Sequence, residues 1–203
     1  MRITYGDLVE ARKCMERFKK PKTDEEIFYN LCLCIMVPQA TFKNCMVALN
    51  RLKEYGFYEW SGFPSEMETK ELIKPCRFYN RKAEYLLEAK KIFPEILWRL
   101  RMRAEENNWN FANFFIRDWL VKNVKGLGMK TASHLLRNIG CTNLAIIDTH
   151  ILKYFGLKGE KWNYLDLEKK LKKRAKRYFI SLAELDIIIW KHYSKTDWKD
   201  YIY

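Results

Sequence analysis

A chain of 203 residues can bury one sizeable core, or one core divided into two lobes. Its 38 Lys and Arg outnumber 25 Asp and Glu, and the resulting net charge of +13 favours a polyanion, nucleic acid before an anionic membrane surface. No apolar run approaches the roughly 20 residues of a membrane span, and MRITYGDLVEARK holds no signal-peptide stretch, so a soluble, intracellular chain is expected.

Helical signals dominate from the start. Thr23-Asp24-Glu25-Glu26 is a capping box opening an apolar helix that runs through Met36. Val37-Pro38-Gln39-Ala40 ends it, and Gln39 reads there as a polar capping residue. Asn80 to Lys91, Pro94 to Glu106 and Phe111 to Asn123 are each amphipathic at helical spacing. Pro21, Pro38, Pro64, Pro75 and Pro94 are placed where helices start or stop. Val124-Lys125-Gly126-Leu127-Gly128 then joins Arg117–Asn123 to Met129–Asn138. Glycines at both turn positions permit positive φ and close backbone approach, and they leave amides uncovered beside a helix N-terminus, which favours an anion. A simple glycine connection between helices reads equally well from the turn alone.

Leu144-Ala145-Ile146-Ile147 is a strand-like apolar approach that delivers Asp148 to the start of a helix over Thr149–Phe155, where the aspartate is by default an N-cap. Lys169 to Arg177 is a basic run whose ordinary reading is a solvated helix face. Ser181-Leu182-Ala183-Glu184 opens a last helix into Ile187, Ile188, Ile189 and Trp190. The six cysteines, Cys14, Cys32, Cys34, Cys45, Cys76 and Cys141, show no CxxC pair and no metal spacing, and they read as reduced thiols. His134, His150 and His192 are too scattered for a metal cluster, so no metal site is built from side chains. The class is all-α, about ten helices.

Taken together, VKGLGMKTASHLLRNIG followed by LAIIDTHIL resembles the helix-hairpin-helix base-excision DNA glycosylases, with Lys130 and Asp148 at the spacing of endonuclease III-like enzymes. CRFYNRKAEYLLEAKK, Cys76 to Lys91, together with TASHLLRNIG, is similar to the archaeal-type (type 2) 8-oxoguanine DNA glycosylase/AP lyases. Lys125 stands where a proline is common in the hairpin. No cysteine follows Cys141, so the iron–sulfur loop of endonuclease III is absent. Type 2 members often end in a lysine near the base pocket, whereas this chain ends Trp198-Lys199-Asp200-Tyr201-Ile202-Tyr203.

The resemblance implies two helical lobes with a basic cleft between them. One would be a continuous lobe of about residues 30–142 carrying the hairpin, the other residues 1–29 plus 143–203. It implies double-stranded DNA with a flipped damaged base as partner. Lys130 would be the nucleophile, forming a Schiff base that undergoes β-elimination, and Asp148 would stabilise charge on the sugar. An exposed lysine is neutral in only about one molecule in 2,500 at pH 7, so partial burial and the cations Lys125 and Arg137 are expected to lower its pKa. Gly126, Gly128 and Lys125 would hold phosphates, and Gln39 stands at the position of a glutamine that some members insert into the vacated gap. His134, Trp190 and Trp198 are candidates for the base pocket. The expected cofactor list is empty, with a monovalent cation on hairpin carbonyls as the one addition typical of the superfamily. A monomer, cytoplasmic and nucleoid-associated in a prokaryotic-type cell, completes the expectation. An oxidised-pyrimidine glycosylase/AP lyase of endonuclease III type and a non-catalytic helix-hairpin-helix DNA-binding module are the alternatives. Only the last has no need of the Lys130–Asp148 pair.

Overall fold

A computed structural model of the chain describes residues 1–59, 64–105 and 109–194. Among them are ten α-helices and no strand: α1 (Tyr5–Lys19), α2 (Asp24–Met36), α3 (Phe42–Glu54), α4 (Glu66–Ile73), α5 (Tyr79–Glu105), α6 (Trp109–Asn123), α7 (Met129–Asn138), α8 (Thr149–Tyr154), α9 (Tyr164–Arg177) and α10 (Leu182–Ser194). Both expected capping boxes are present. Thr23 accepts from the Glu26 amide while Glu26 accepts from Thr23, and Ser181 and Glu184 exchange the same pair of bonds. Two more, Thr4 with Asp7 and Ser65 with Glu68, open α1 and α4.

The chain divides into two compact units, Met1–Lys20 with Leu136–Tyr203, and Pro21–Leu135. The whole of α2 therefore belongs to the continuous unit, because its apolar face is packed along α5 and α3. The division falls inside α7, between Leu135 and Leu136.

In the continuous unit α2 is the central helix. Ile27, Phe28, Tyr29 and every residue from Leu31 to Met36 are buried. Phe28 meets Tyr29, Phe57, Tyr58 and Phe93 with ring centroids 4.9–5.8 Å apart. Pro94 does not end a helix as its position in the sequence suggests; α5 runs through it. The reason is packing. Ala83, Leu86, Ala89, Phe93, Ile96 and Leu100 form one buried stripe at helical spacing across the proline, and that burial outweighs the hydrogen bond the proline lacks.

In the discontinuous unit α10 is buried on two faces. Leu182, Leu185 and Ile189 pack with Ile151 of α8 and with Leu167, Leu171 and Ala175 of α9. Ala183, Ile187 and Ile188 pack with Ala11, Cys14, Met15 and Phe18 of α1. Within this apolar helix lies Asp186, 2 % exposed, whose carboxylate accepts from Arg137 at 3.1 Å. All six cysteines are buried thiols outside any disulfide. No helix among the described residues is long and apolar enough to cross a membrane.

Burial pushes the Asp186 carboxyl up to about 7, with the Arg137 guanidinium pulling it back and the Asp148 charge adding to the rise. The native carboxyl therefore keeps its proton to higher pH than the unfolded one. Its contribution to stability is full below the unfolded value of 3.8 and is lost as pH climbs through about 7. Arg137→Met removes the counter-ion and should cost about 3–5 kcal/mol at pH 8, less at pH 5 where the carboxyl is neutral. Urea unfolding at the two pH values measures this; an equal loss at both would contradict it.

Candidate active site

The hairpin is built between α6 and α7 of the continuous unit. Arg117, a buried arginine on α6, donates to Ser133 Oγ on α7 at 3.2 Å and lies over the Phe114 ring, fixing how the two helices approach. Leu127 is 5 % exposed and plugs the turn into the core. The two glycines do different work. Gly126 has φ of 85°, and a Cβ there would lie 2.7 Å from Tyr85 Cδ2, so the turn needs both its handedness and its missing side chain. Gly128 does not use the positive φ that a glycine permits, and a Cβ there would meet nothing within 4 Å. The bare surface at Gly128 is open space for an incoming backbone.

The free amides also differ from the sequence reading. The Gly128 amide is taken by Thr131 Oγ1 at 2.9 Å, which returns a bond to the Gly128 carbonyl at 3.2 Å. The hairpin amides left without a protein acceptor among the described residues are those of Lys125 and Gly126 and of Met129, Lys130 and Thr131 in the first turn of α7. That is an anion site supplied by the helix terminus rather than by both glycines.

Lys130 stands in this first turn and is exposed, not partly buried. The two cations expected beside it are engaged elsewhere. Lys125 pairs with Glu88 at 2.7 Å and Glu84 at 3.7 Å, and the Glu88 hydrogen bond holds its pKa above the ordinary lysine value. Arg137 is bound to Asp186 and lies over the Phe18 ring at 5.2 Å. His134, one turn after Lys130 on the same helix, is half-buried and has interactions of its own.

In the discontinuous unit Asp148 is the N-cap of α8. Its Oδ1 accepts from the His150 amide at 2.8 Å and the Ile151 amide at 3.1 Å. Both bonds go to one oxygen, so Oδ2 has no hydrogen-bond partner among the described residues. The approach from Leu144 to Ile147 is neither helix nor strand, and it pairs with no strand among the described residues. Its backbone is held by two side chains one turn apart on α9: Tyr164 Oη donates to Ala145 O at 2.7 Å and accepts from the Ile147 amide at 3.3 Å, while Glu168 accepts from the Ala145 amide at 3.1 Å. Asp186 holds the Ile146 amide. Of these four positioning residues, Tyr164, Glu168 and Asp186 are absent from the sequence reading, and Arg137 stood there only as a cation expected beside Lys130. A carboxylate at each of two otherwise apolar helix positions, Glu168 beside Leu167 and Asp186 before three isoleucines, is the signal that could have found the two acids.

Gln39 is exposed, at the tip of a turn with φ of 56°, and its side chain caps no helix; the C-cap of α2 is Val37. Trp190 is half-buried, edge-on to His150 at 6.2 Å and packed against the α1–α10 core. Trp198 lies outside the described residues. On α9 the buried Leu167, Leu171 and Ala175 leave Lys169, Lys170, Lys172, Lys173, Lys176 and Arg177 exposed, a solvated face. Among the described residues no group of three or more His, Cys, Asp or Glu could hold a metal ion.

With this geometry established, comparison with known proteins is decisive. The sequence profile of the 8-oxoguanine DNA glycosylases matches residues 10–181. The chain belongs to the 8-oxoguanine DNA glycosylase family. An 8-oxoguanine DNA glycosylase/AP lyase of Korarchaeum cryptofilum is 34 % identical over 193 residues, covering 91 % of this chain and 87 % of that one. Its counterpart in Saccharolobus solfataricus is 34 % identical over 194 residues, covering 89 % and 87 %. The solved structure of the Methanocaldococcus jannaschii 8-oxoguanine glycosylase/lyase, in complex with a 15mer DNA containing 8-oxoguanine, superposes with a TM-score of 0.73 at 30 % identity, covering 93 % of this chain and 91 % of that one. For this glycosylase-family chain the two hairpin glycines predict separable effects. Gly126→Ala should cost about 1–3 kcal/mol of stability through strain against Tyr85, and Gly128→Ala at most about 0.5 kcal/mol. Thermal melts of the two variants decide; equal losses would mean the turn does not distinguish the positions.

Proposed function

We propose that this chain is a bifunctional DNA repair enzyme that excises 8-oxoguanine from duplex DNA and cuts the strand by β-elimination. The observation that carries the reading is a lysine exposed in the first turn of a helix whose leading amides have no protein acceptor, in a member of the 8-oxoguanine DNA glycosylase family. In this reading the α7 terminus takes a backbone phosphate near the lesion, which offsets part of the cost of rotating the nucleotide out of the duplex, a few kcal/mol. The Lys130 amine attacks C1′ and the base leaves. Opening of the C1′–O4′ bond, with the lysine proton passing to O4′, then gives the Schiff base, which acidifies the C2′ proton, and loss of that proton expels the 3′ phosphate.

Asp148 acts through the carboxylate oxygen that the N-cap leaves unused, opposing positive charge that develops on the sugar. Gln39 enters the gap left by the flipped base, and Lys125 exchanges Glu88 for a phosphate, an exchange that is cheap because exposed ion pairs are weak. Half-buried His134 and Trp190 remain candidates for the wall of the base pocket, as does Trp198. A monovalent cation on hairpin carbonyls, a monomeric state and a cytoplasmic, nucleoid-associated location belong to the same reading.

Borohydride trapping on an 8-oxoguanine duplex tests the chemistry. Lys130→Gln should abolish the covalent adduct while leaving duplex affinity within about threefold, since only the amine is lost. Asp148→Asn keeps an oxygen for the cap and should slow excision about a hundredfold to a thousandfold. An adduct that survives Lys130→Gln would move the nucleophile to another amine. Thymine glycol and abasic duplexes run in parallel separate an oxidised-pyrimidine enzyme from this reading, and absence of nicking on all three would leave a binding module.

Salt dependence tests the phosphate contacts. Log affinity should fall with log salt by about 0.9 per phosphate neutralised, and Lys125→Ala should flatten that slope by about one contact. An unchanged slope would leave Lys125 with Glu88 in the complex.

A further inference from the structure

Lys82 lies in the first turn of α5, is 5 % exposed, and its ammonium is bound by carbonyls rather than by a carboxylate. Nζ donates to Met36 O at 2.5 Å and to Pro38 O at 2.9 Å. Burying an ammonium is costly unless its donors are satisfied. Here the compensation comes from the end of α2. Met36 is the last residue of that helix, and its carbonyl belongs to the orphan set at the negative end of the helix dipole. The one lysine thus caps α2 and holds the residue that follows its C-cap.

What it holds is the turn that carries Gln39. The Ala40 amide donates to Val37 O at 3.1 Å, and between them Gln39 is exposed with φ of 56°. A glutamine in left-handed backbone has no intrinsic reason to stay there and persists only where its surroundings fix it. Pro38, fixed by Lys82, is the residue immediately before it. The backbone of the same lysine anchors a second such residue. The Lys82 amide donates to Phe78 O at 3.1 Å, and Phe78 is exposed with φ of 61°. Three non-glycine residues among those described have positive φ; the Lys82 side chain bonds the carbonyl of the residue before one of them, Gln39, whereas its amide bond to Phe78 is the ordinary i to i−4 bond of a helix entry.

Two turns along α5, Lys90 provides a contrast. It binds Phe57 O at 2.6 Å and Tyr58 O at 3.0 Å, with its ammonium over the Phe28 and Phe57 rings. The chemistry is the same, but the left-handed residue beside the segment it holds is a glycine, Gly56 with φ of 69°, which adopts that backbone without a side-chain penalty.

We propose that Lys82 is a positioning residue which clamps the Val37–Ala40 turn to the end of α2 and thereby presents Gln39 to the duplex. The proposal rests on the reading of Gln39 as the side chain that enters the gap, and its two halves are tested separately. The clamp is read by hydrogen exchange of the Ala40 amide. Lys82→Met should accelerate that exchange at least tenfold, whereas Lys90→Met, which disturbs the same core, should leave it within about twofold. An Ala40 amide indifferent to Lys82→Met would overturn the clamp.

The functional half is read by single-turnover excision in a double-mutant cycle. Lys82→Met should slow excision of 8-oxoguanine on the order of tenfold to a hundredfold in the parent chain, and less than about twofold in a Gln39→Ala background, because a clamp has nothing to present once the glutamine is gone. Equal losses in both backgrounds would make Lys82 a core residue only. A Gln39→Ala variant with the parent's rate would overturn the presentation of Gln39 while the exchange data still decide the clamp. Complete inactivity of the parent on 8-oxoguanine would instead refute the proposed function. If Lys82→Met does not fold, Lys82→Gln, which reaches one carbonyl at most, replaces it in every arm.

Discussion

The buried pair between Arg137 and Asp186 is the constraint on which the discontinuous unit depends. A carboxylate at 2 % exposure inside α10 would be prohibitively costly alone, so the guanidinium at the end of α7 has to be where it is. Asp186 in turn holds the Ile146 amide, two residues before Asp148, and lies near enough to Asp148 for the two charges to interact. One ion pair therefore fixes, within the discontinuous unit, the C-terminal end of α7 and the segment that ends in Asp148. Hydrophobic residues of the same volume could stabilise the unit as well or better. They could not hold a backbone segment by its amide.

The same logic recurs through the protein. At three places where the described chain leaves a helix, its backbone groups are met by buried or half-buried polar side chains of another helix. Tyr164 and Glu168 serve Ala145 and Ile147, Lys82 serves Met36 and Pro38, and Lys90 serves Phe57 and Tyr58. Each such bond is modest in net energy, but the backbone group it satisfies would be expensive to bury unmet. The uncommitted amides at the start of α7 and the unused oxygen of Asp148 have no such partner among the described residues. Unmet donors and acceptors at a surface are where a ligand can still gain hydrogen bonds. In a protein of net charge +13 the donors favour an anion.

Much of this was legible in the sequence because it is local. Capping boxes act over three residues, so Thr23–Glu26 and Ser181–Glu184 located two helix starts without any tertiary information. The hairpin, the lysine after it and the aspartate eighteen positions on follow from residue order and carried the family resemblance. Apolar spacing gave the all-α class. What the sequence could not decide was where a local preference would be overruled. Pro94 reads as a helix boundary, yet a buried stripe from Ala83 to Leu100 carries α5 through it, because long-range burial outweighs one missing hydrogen bond. Gly126 and Gly128 look alike in the chain, and only the Tyr85 ring and the Thr131 hydroxyl tell them apart. Lys82, Glu168 and Asp186 read as three charges among 63, and their roles exist only through partners 44 to 46, 23 and 49 residues away. The sequence by itself determined the helices, the hairpin and the candidate chemistry, since these rest on contacts within a few residues. The tertiary structure alone decided which buried charges hold which backbone groups, because that depends on distances no local pattern encodes.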